Sequence, residues 1–287
     1  MSKSRNIETF VSGVKDLPTL PSVVLKVNQA LMDSSATIDS VSSIVERDPA
    51  LTAKVLRLAN SSYYGFSSSV DTLSRAVTVL GFNTIRSLAT TVSVFKIFKR
   101  EPSGSFDMHG LWLHSLGCAI ASKVLVHAMG TALREKAFVC GLIHDIGKVV
   151  IAQNLPDETA EVLRRLEDDG SPDMAEVEEE VIGFAHTGVG ALIAERWHFP
   201  RELSEAIRLH HRSGDDPDEA HPVLTYAVYA GNQIAKERGL GRSQNRKVRE
   251  VQAWVRERLG VSVEDLPGLL ERTEYDFNTV VNSWDLA

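Results

Sequence analysis

The sequence predicts an all-α fold, and three observations carry that prediction. Apolar residues recur at three- and four-residue spacing along the whole chain. Sustained period-2 alternation and Asn-Gly hairpin turns are missing from it. Caps, first-turn prolines and terminal glycines fall where the periodic segments begin and end. Leu20 to Leu31 places Val23, Val24, Val27 and Leu31 on one stripe. Thr37 or Asp39 is placed to cap a short helix carrying Val41, Ile44 and Val45. Asp48-Pro49 reads as an N-cap followed by proline at the first helical position, where its missing N–H costs nothing. The helix behind it carries Leu51, Val55, Leu58 and Ala59. A further helix runs near Leu73 to Leu80 and stops at Gly81, and Phe82 to Phe98 forms the next.

Breakers divide the chain. Arg100-Glu-Pro-Ser-Gly-Ser105 reads as a linker between an N-terminal helical half, residues 1–100, and a central helical half, residues 106–240. Residues 241–287 form a C-terminal helical extension. Gly214, Asp215, Asp216, Pro217 and Pro222 mark a surface loop within the central half. Glu167 to Glu180 holds eight acidic residues with Gly170 and Pro172. That run reads as a solvated turn, or else as an acidic contact surface. Beyond Gly241 the chain turns basic, and Val248, Val251, Val255 and Leu259 make the stripe of an amphipathic helix, with a partner or nucleic-acid patch as the alternative reading.

Composition excludes several classes. With 287 residues the chain can build one large or two small domains. A net charge of −7 argues against a general nucleic-acid surface, and Arg57, Arg75 and Arg86 are too sparse for a local one. No apolar run approaches the roughly 18 residues of a membrane span, and no apolar segment follows the N-terminal Met-Ser-Lys-Ser-Arg-Asn. The expected location is cytoplasmic, which suits Cys118 and Cys140 as buried free thiols.

The histidines carry the chemistry. His144-Asp145 sits in Gly-Leu-Ile-His-Asp-Ile-Gly-Lys-Val-Val, where burying both without partners is costly. A metal ion satisfies both, because neutral imidazole and carboxylate are its ligands. Gly147 lets backbone approach closely, and Lys148 brings positive charge to an anionic substrate. His210-His211 ends a stripe of Leu203, Ala206 and Ile207, and neighbours about 100° apart on a helix reach two ions, or one ion and a substrate. His114 and His186 lie in apolar contexts of their own. Five imidazoles and one aspartate in such settings need a common polar centre. His109, His127, His198 and His221 lack that setting.

The order His114, His144-Asp145, His186, His210-His211 resembles the HD superfamily of metal-dependent phosphohydrolases, particularly its two-metal members such as the HD-GYP cyclic-dinucleotide phosphodiesterases. The N-terminal half resembles the HDOD family in Leu17-Pro-Thr-Leu-Pro21, Asp48-Pro-Ala-Leu-Thr52, Leu56-Arg-Leu-Ala-Asn-Ser61, Tyr63-Tyr-Gly65 and Ala76-Val-Thr-Val-Leu-Gly81. Trp197-His-Phe-Pro200 extends the likeness, which spans about residues 15 to 240. The resemblance implies an N-terminal bundle packed on an HD-type bundle, and a role as an output or adaptor module in bacterial signalling. Two departures from an active HD enzyme stand out. Asn232, in Tyr229-Ala-Gly-Asn-Gln-Ile-Ala235, fits the slot of the superfamily's last carboxylate and brings no charge. The loop after His211 reads Arg-Ser-Gly-Asp-Asp-Pro, without Gly-Tyr-Pro.

The expected ligand set is therefore His114, His144, Asp145, His186, His210, His211 and Asn232, holding one or two divalent transition-metal ions. Iron or manganese is favoured, with nickel and zinc as alternatives. His144, Asp145 and Lys148 are the expected catalytic residues if the chain is an enzyme. No receiver, GGDEF-type or kinase domain is visible. The expected function is a stand-alone signalling module that finds protein partners in trans. The alternative is a metal-dependent phosphohydrolase acting on a nucleotide or phosphorylated ligand.

Overall fold

The computed structural model describes residues 6–14, 17, 20–31, 35–66, 68–99, 106–167, 173–211, 221–245 and 247–284. Among them 73% are helical and none is in a strand, so the predicted class stands. The linker at 100–105, most of the loop at 212–222 and residues 18–19 of the Leu17–Pro21 motif lie outside the described residues.

Local chemistry sets the N-terminal helices. After α1 (Ile7–Gly13) and α2 (Ser22–Ala30), α3 (Ile38–Glu46) opens on Thr37, whose hydroxyl accepts from the backbone N–H of Ser40 in a reciprocal capping box. Asp48 caps α4 (Pro49–Ala59) by accepting from the backbone N–H of Leu51, with proline at the first helical position. The buried face of α4 is Leu51, Val55, Leu58 and Ala59, the stripe read from the sequence. Thr72 caps α5 (Leu73–Leu80), and Gly81, at φ +82°, separates it from α6 (Phe82–Phe98). Helices α2 to α6 pack on one another, and α6 also packs against α8 (Thr131–Ile143), which joins the two halves.

The second half is built around α7 (Met108–Leu125), buried on nearly all sides. It packs on α8 and on α14 (Val223–Glu237). A 3-10 turn (His127–Met129) precedes α8. The other helices here are α9 (Ile146–Asn154), α10 (Pro156–Arg165), α11 (Met174–Val181), α12 (His186–Arg196) and α13 (Arg201–Leu209). Helix α12 lies against α9, α13 and α1.

Beyond Gly241 the structure corrects the amphipathic helix expected there. Helix α15 is confined to Ala253–Arg258, and no helix is described between Gly241 and Gln252. Side chains take up backbone groups that a helix would use. Ser243 Oγ donates to Asn245 O, and the backbone N–H of Arg249 donates to Gln233 Oε1. Gly241 sits at φ +79° with an added Cβ only 2.1 Å from His114 N, so glycine alone lets this segment lie against α7. Val248, assigned to the apolar stripe, is 47% exposed. Helix α16 (Leu266–Trp284) returns to pack on α7 and α4, where Trp284 Nε1 donates to Ser61 Oγ.

Candidate metal centre

Four helix ends and two helix interiors deliver the polar centre. The chain breaks between α8 and α9 at His144-Asp145, where Asp145 adopts φ −99°, ψ 10°. His186 opens α12, His210 and His211 follow α13, and His114 and Asn232 come from within α7 and α14. Gly147 makes the convergence possible: a Cβ there would sit 2.0 Å from His186 O. Its absence lets α9 carry Asp145 up to α12, as the sequence suggested.

Asp145 is the hub, and all five sequence-predicted histidines reach it or its neighbours. Its Oδ1 lies 3.2 Å from His186 Nε2 and 3.5 Å from His210 Nε2. His211 Nε2 stands 3.2 Å from His186 Nε2. Asp145 Oδ2 lies 3.3 Å from His144 Nε2 and 3.8 Å from His114 Nε2. Potential ligand atoms thus gather in two groups that share Asp145: one with His186, His210 and His211, the other with His114 and His144. His114, His144, Asp145, His186 and His210 are all 0% exposed.

Four of the five imidazoles are fixed from behind. His144 Nδ1 donates to Gly141 O at 2.7 Å, and His210 Nδ1 donates to Ile207 O at 2.7 Å. His186 Nδ1 meets Glu178 Oε2 at 2.5 Å, and the same oxygen accepts from the His186 backbone N–H. His211 Nδ1 meets Asp173 Oδ1 at 2.9 Å. With Nδ1 engaged, each Nε2 faces the centre, which is how metal-binding histidines are oriented, and without an ion His186 Nε2 and His211 Nε2 pair with each other. His144 Nε2, His210 Nε2 and Asp145 Oδ1 have no hydrogen-bond partner although they are buried. Such orphans are expensive unless something else satisfies them. A divalent ion fits this donor set.

Asn232 and Lys148 take different places. Asn232 Oδ1 lies 3.1 Å from His114 Nε2, so it engages that ring, whose Nδ1 is left without a partner. The sequence reading aimed Lys148 at a substrate. The structure buries it instead, 2% exposed, with Nζ donating to Asp145 Oδ2 at 2.7 Å and to Ser243 O at 2.9 Å.

Electrostatics follows burial. Desolvation lowers the pKa of His114 and His211 well below the ordinary imidazole value and takes His210 to about 3. Burial opposes charge on His144 and His186 as well. There Asp145 outweighs it and pushes His144 up to about 10, while Glu178 raises His186. Burial works against the Asp145 carboxylate too, yet His144 and Lys148 hold it well below the usual range.

Two residues escaped the sequence reading. The acidic run Glu167 to Glu180 reads as a solvated turn or a contact surface, but Asp173 and Glu178 are buried against His211 and His186. Residues 168–172 lie outside the described residues. The available signal was α11 itself. Met174 and Val177 form its buried face, and Glu178 follows Met174 by one helical turn. Asp173 is its N-cap.

The chain matches the HDOD domain over residues 17–213. It belongs to the HDOD family. An HDOD domain protein of unknown function from Geobacter sulfurreducens shares 27% identity and a TM-score of 0.74, covering 96% of this chain and 91% of its own. A candidate phosphohydrolase from Shewanella amazonensis SB2B also shares 27% identity at TM-score 0.74, covering 98% and 97%. An uncharacterised protein of Treponema pallidum (strain Nichols) is 25% identical over 228 residues, or 79% of this chain. The chain spans 44% of that curated relative's length. The HDOD resemblance and its helical fold are therefore established. No single described helix is long and apolar enough to cross a membrane.

Proposed function

We propose that this HDOD chain is a bacterial signalling module whose buried His/Asp centre holds a divalent transition-metal ion, and whose output passes through protein partners in trans. The observation that carries this reading is the burial of the centre. Its most accessible histidine, His211, is 6% exposed, and the others are fully enclosed. An ion held there by Asp145, His186, His210 and His211 braces four helix ends, which suits a part that sets conformation. Three imidazoles and one carboxylate accept iron, manganese, nickel or zinc, and iron or manganese is favoured.

One observation favours the phosphohydrolase reading. A surface cavity of about 510 Å³ reaches Asp173 and His211 from outside, with Arg208 and Arg249 in its wall. A phosphorylated or nucleotide ligand there would have Arg208 and Arg249 to pair with, in competition with Glu195, Asp173 and Glu176, which already pair with them. A bound ion would supply a Lewis acid for a phosphoryl oxygen. In that case His144 and Asp145 belong to the reacting centre, while Lys148 holds the Asp145 carboxylate in place. Asn232 withholds the charge that a hydrolytic relative would supply.

The two readings separate in a phosphodiesterase assay on cyclic di-GMP and a chromogenic phosphodiester, with Fe(II) or Mn(II) under reducing conditions. The module reading expects no useful turnover from the wild type. Turnover near about one per second, the low end of ordinary enzyme rates, and lost in Asp145→Ala, would overturn it.

A further inference from the structure

We infer that the centre takes a single metal ion, at the Oδ1 face of Asp145, and that the Lys148 ammonium stands in for a second ion at the Oδ2 face. This rests on the metal reading above and goes further, fixing the number of ions and their ligands.

The two faces of Asp145 differ in three ways. The first is ligand supply. The Oδ1 face offers His186, His210, His211 and a carboxylate oxygen that has no hydrogen bond. Four N/O donors complete a tetrahedral shell, or the protein's share of a larger one. The Oδ2 face offers His114 and His144, and His114 Nε2 is already engaged by Asn232 Oδ1. Because an amide oxygen only accepts, the hydrogen sits on Nε2 of His114 and blocks the lone pair an ion would need.

The second difference lies behind the ligands. Two buried carboxylates back the Oδ1 face, Glu178 through His186 and Asp173 through His211. They raise ligand basicity and bring negative charge close to a cation. Behind the other face stands a neutral carbonyl for His144 and nothing for His114 Nδ1.

The third is a competing cation. Lys148 Nζ is 2.7 Å from Asp145 Oδ2 and is anchored from the far side by Ser243 O. An ion at Oδ2 would have to displace this buried ammonium or sit against its charge. Ser243 lies beyond the 17–213 family match, so the C-terminal segment secures the cation that closes the second position.

The metal-free chain is titrated with Mn(II) and followed by calorimetry and electron paramagnetic resonance. The expected result is saturation at one ion per chain, with the resolved hyperfine spectrum of an isolated Mn(II). His210→Ala should weaken binding by about a hundredfold or more, while His114→Gln leaves it essentially unchanged. Lys148→Met combined with Asn232→Asp should admit a second ion and show exchange coupling. Circular dichroism confirms that each variant is folded, and the wild-type spectrum decides the question without any variant. Two coupled ions in the wild type would overturn the inference and leave the metal reading standing. Equal losses in His114→Gln and His210→Ala would also overturn it. No binding by the wild type would overturn both.

Discussion

Asp145 shows how little of a residue's role lies in the residue itself. An aspartate between apolar helices is costly, and only the ring of imidazoles and Lys148 makes its ionised form tenable. The histidines were legible in the sequence because an imidazole in an apolar stretch demands a partner, and five such demands imply a meeting point. Asp173 and Glu178 were illegible for the opposite reason. Acidic runs usually face water, and nothing in the run Glu167 to Glu180 marks Asp173 and Glu178 as turning inward, except the place of the one at the N-cap of α11 and the register of the other on it. Their contacts make a prediction. Glu178→Gln and Asp173→Asn should each weaken metal binding by about 10- to 100-fold, the usual cost of losing a carboxylate behind a ligating histidine. Calorimetric titration checks this, and affinities equal to wild type would remove the two carboxylates from the centre's support.

At the scale of elements, helix ends matter more than helix middles. His144, Asp145, His186, His210 and His211 all sit at termini, where the chain changes direction and one side chain can point away from its helix. The sequence announced the N-terminal helices well, because Thr37, Asp48 and Gly81 act within a few residues of themselves. It misread 241–252, because the contacts that hold that segment come from Gly110, Gln233 and Lys148, which lie elsewhere in the chain. Gly147 tests the geometry. Gly147→Ala drives a methyl into the His186 carbonyl and should cost about 1–3 kcal/mol by overpacking. It should also weaken metal binding, by parting Asp145 from His186. Chemical denaturation and metal titration measure the two effects, and a variant as stable as wild type would mean that α9 and α12 are free to separate.

On the scale of the whole molecule, α6 on α8 and α16 on both α4 and α7 tie the halves together, so the centre is braced by the entire fold. Its titration should then appear in global stability. Without metal, His114, His210 and His211 are held neutral by burial and take up protons on unfolding below about pH 6.5. Stability therefore falls as pH drops through that range, and falls further as Asp145, depressed by His144 and Lys148, is forced toward protonation. His144 and His186 act the other way. Their raised pKa values contribute stability that is complete below about 6.5 and lost as pH rises, toward about 10 for His144. Metal-free protein should thus melt highest near about pH 6.5. A melting temperature that climbs steadily into the alkaline range would contradict that balance. Metal reverses part of it, since an ion bound only to the folded state at a hundred times its Kd adds about 2.7 kcal/mol.

The central claim, that the buried His/Asp cluster is a metal centre, meets its most direct test in elemental analysis of protein purified with neither metal nor chelator added. Wild type should carry a transition metal in stoichiometric amount, and Asp145→Ala, prepared in the same way, should carry almost none. Equal metal content in the two proteins, or none in either, would contradict the claim.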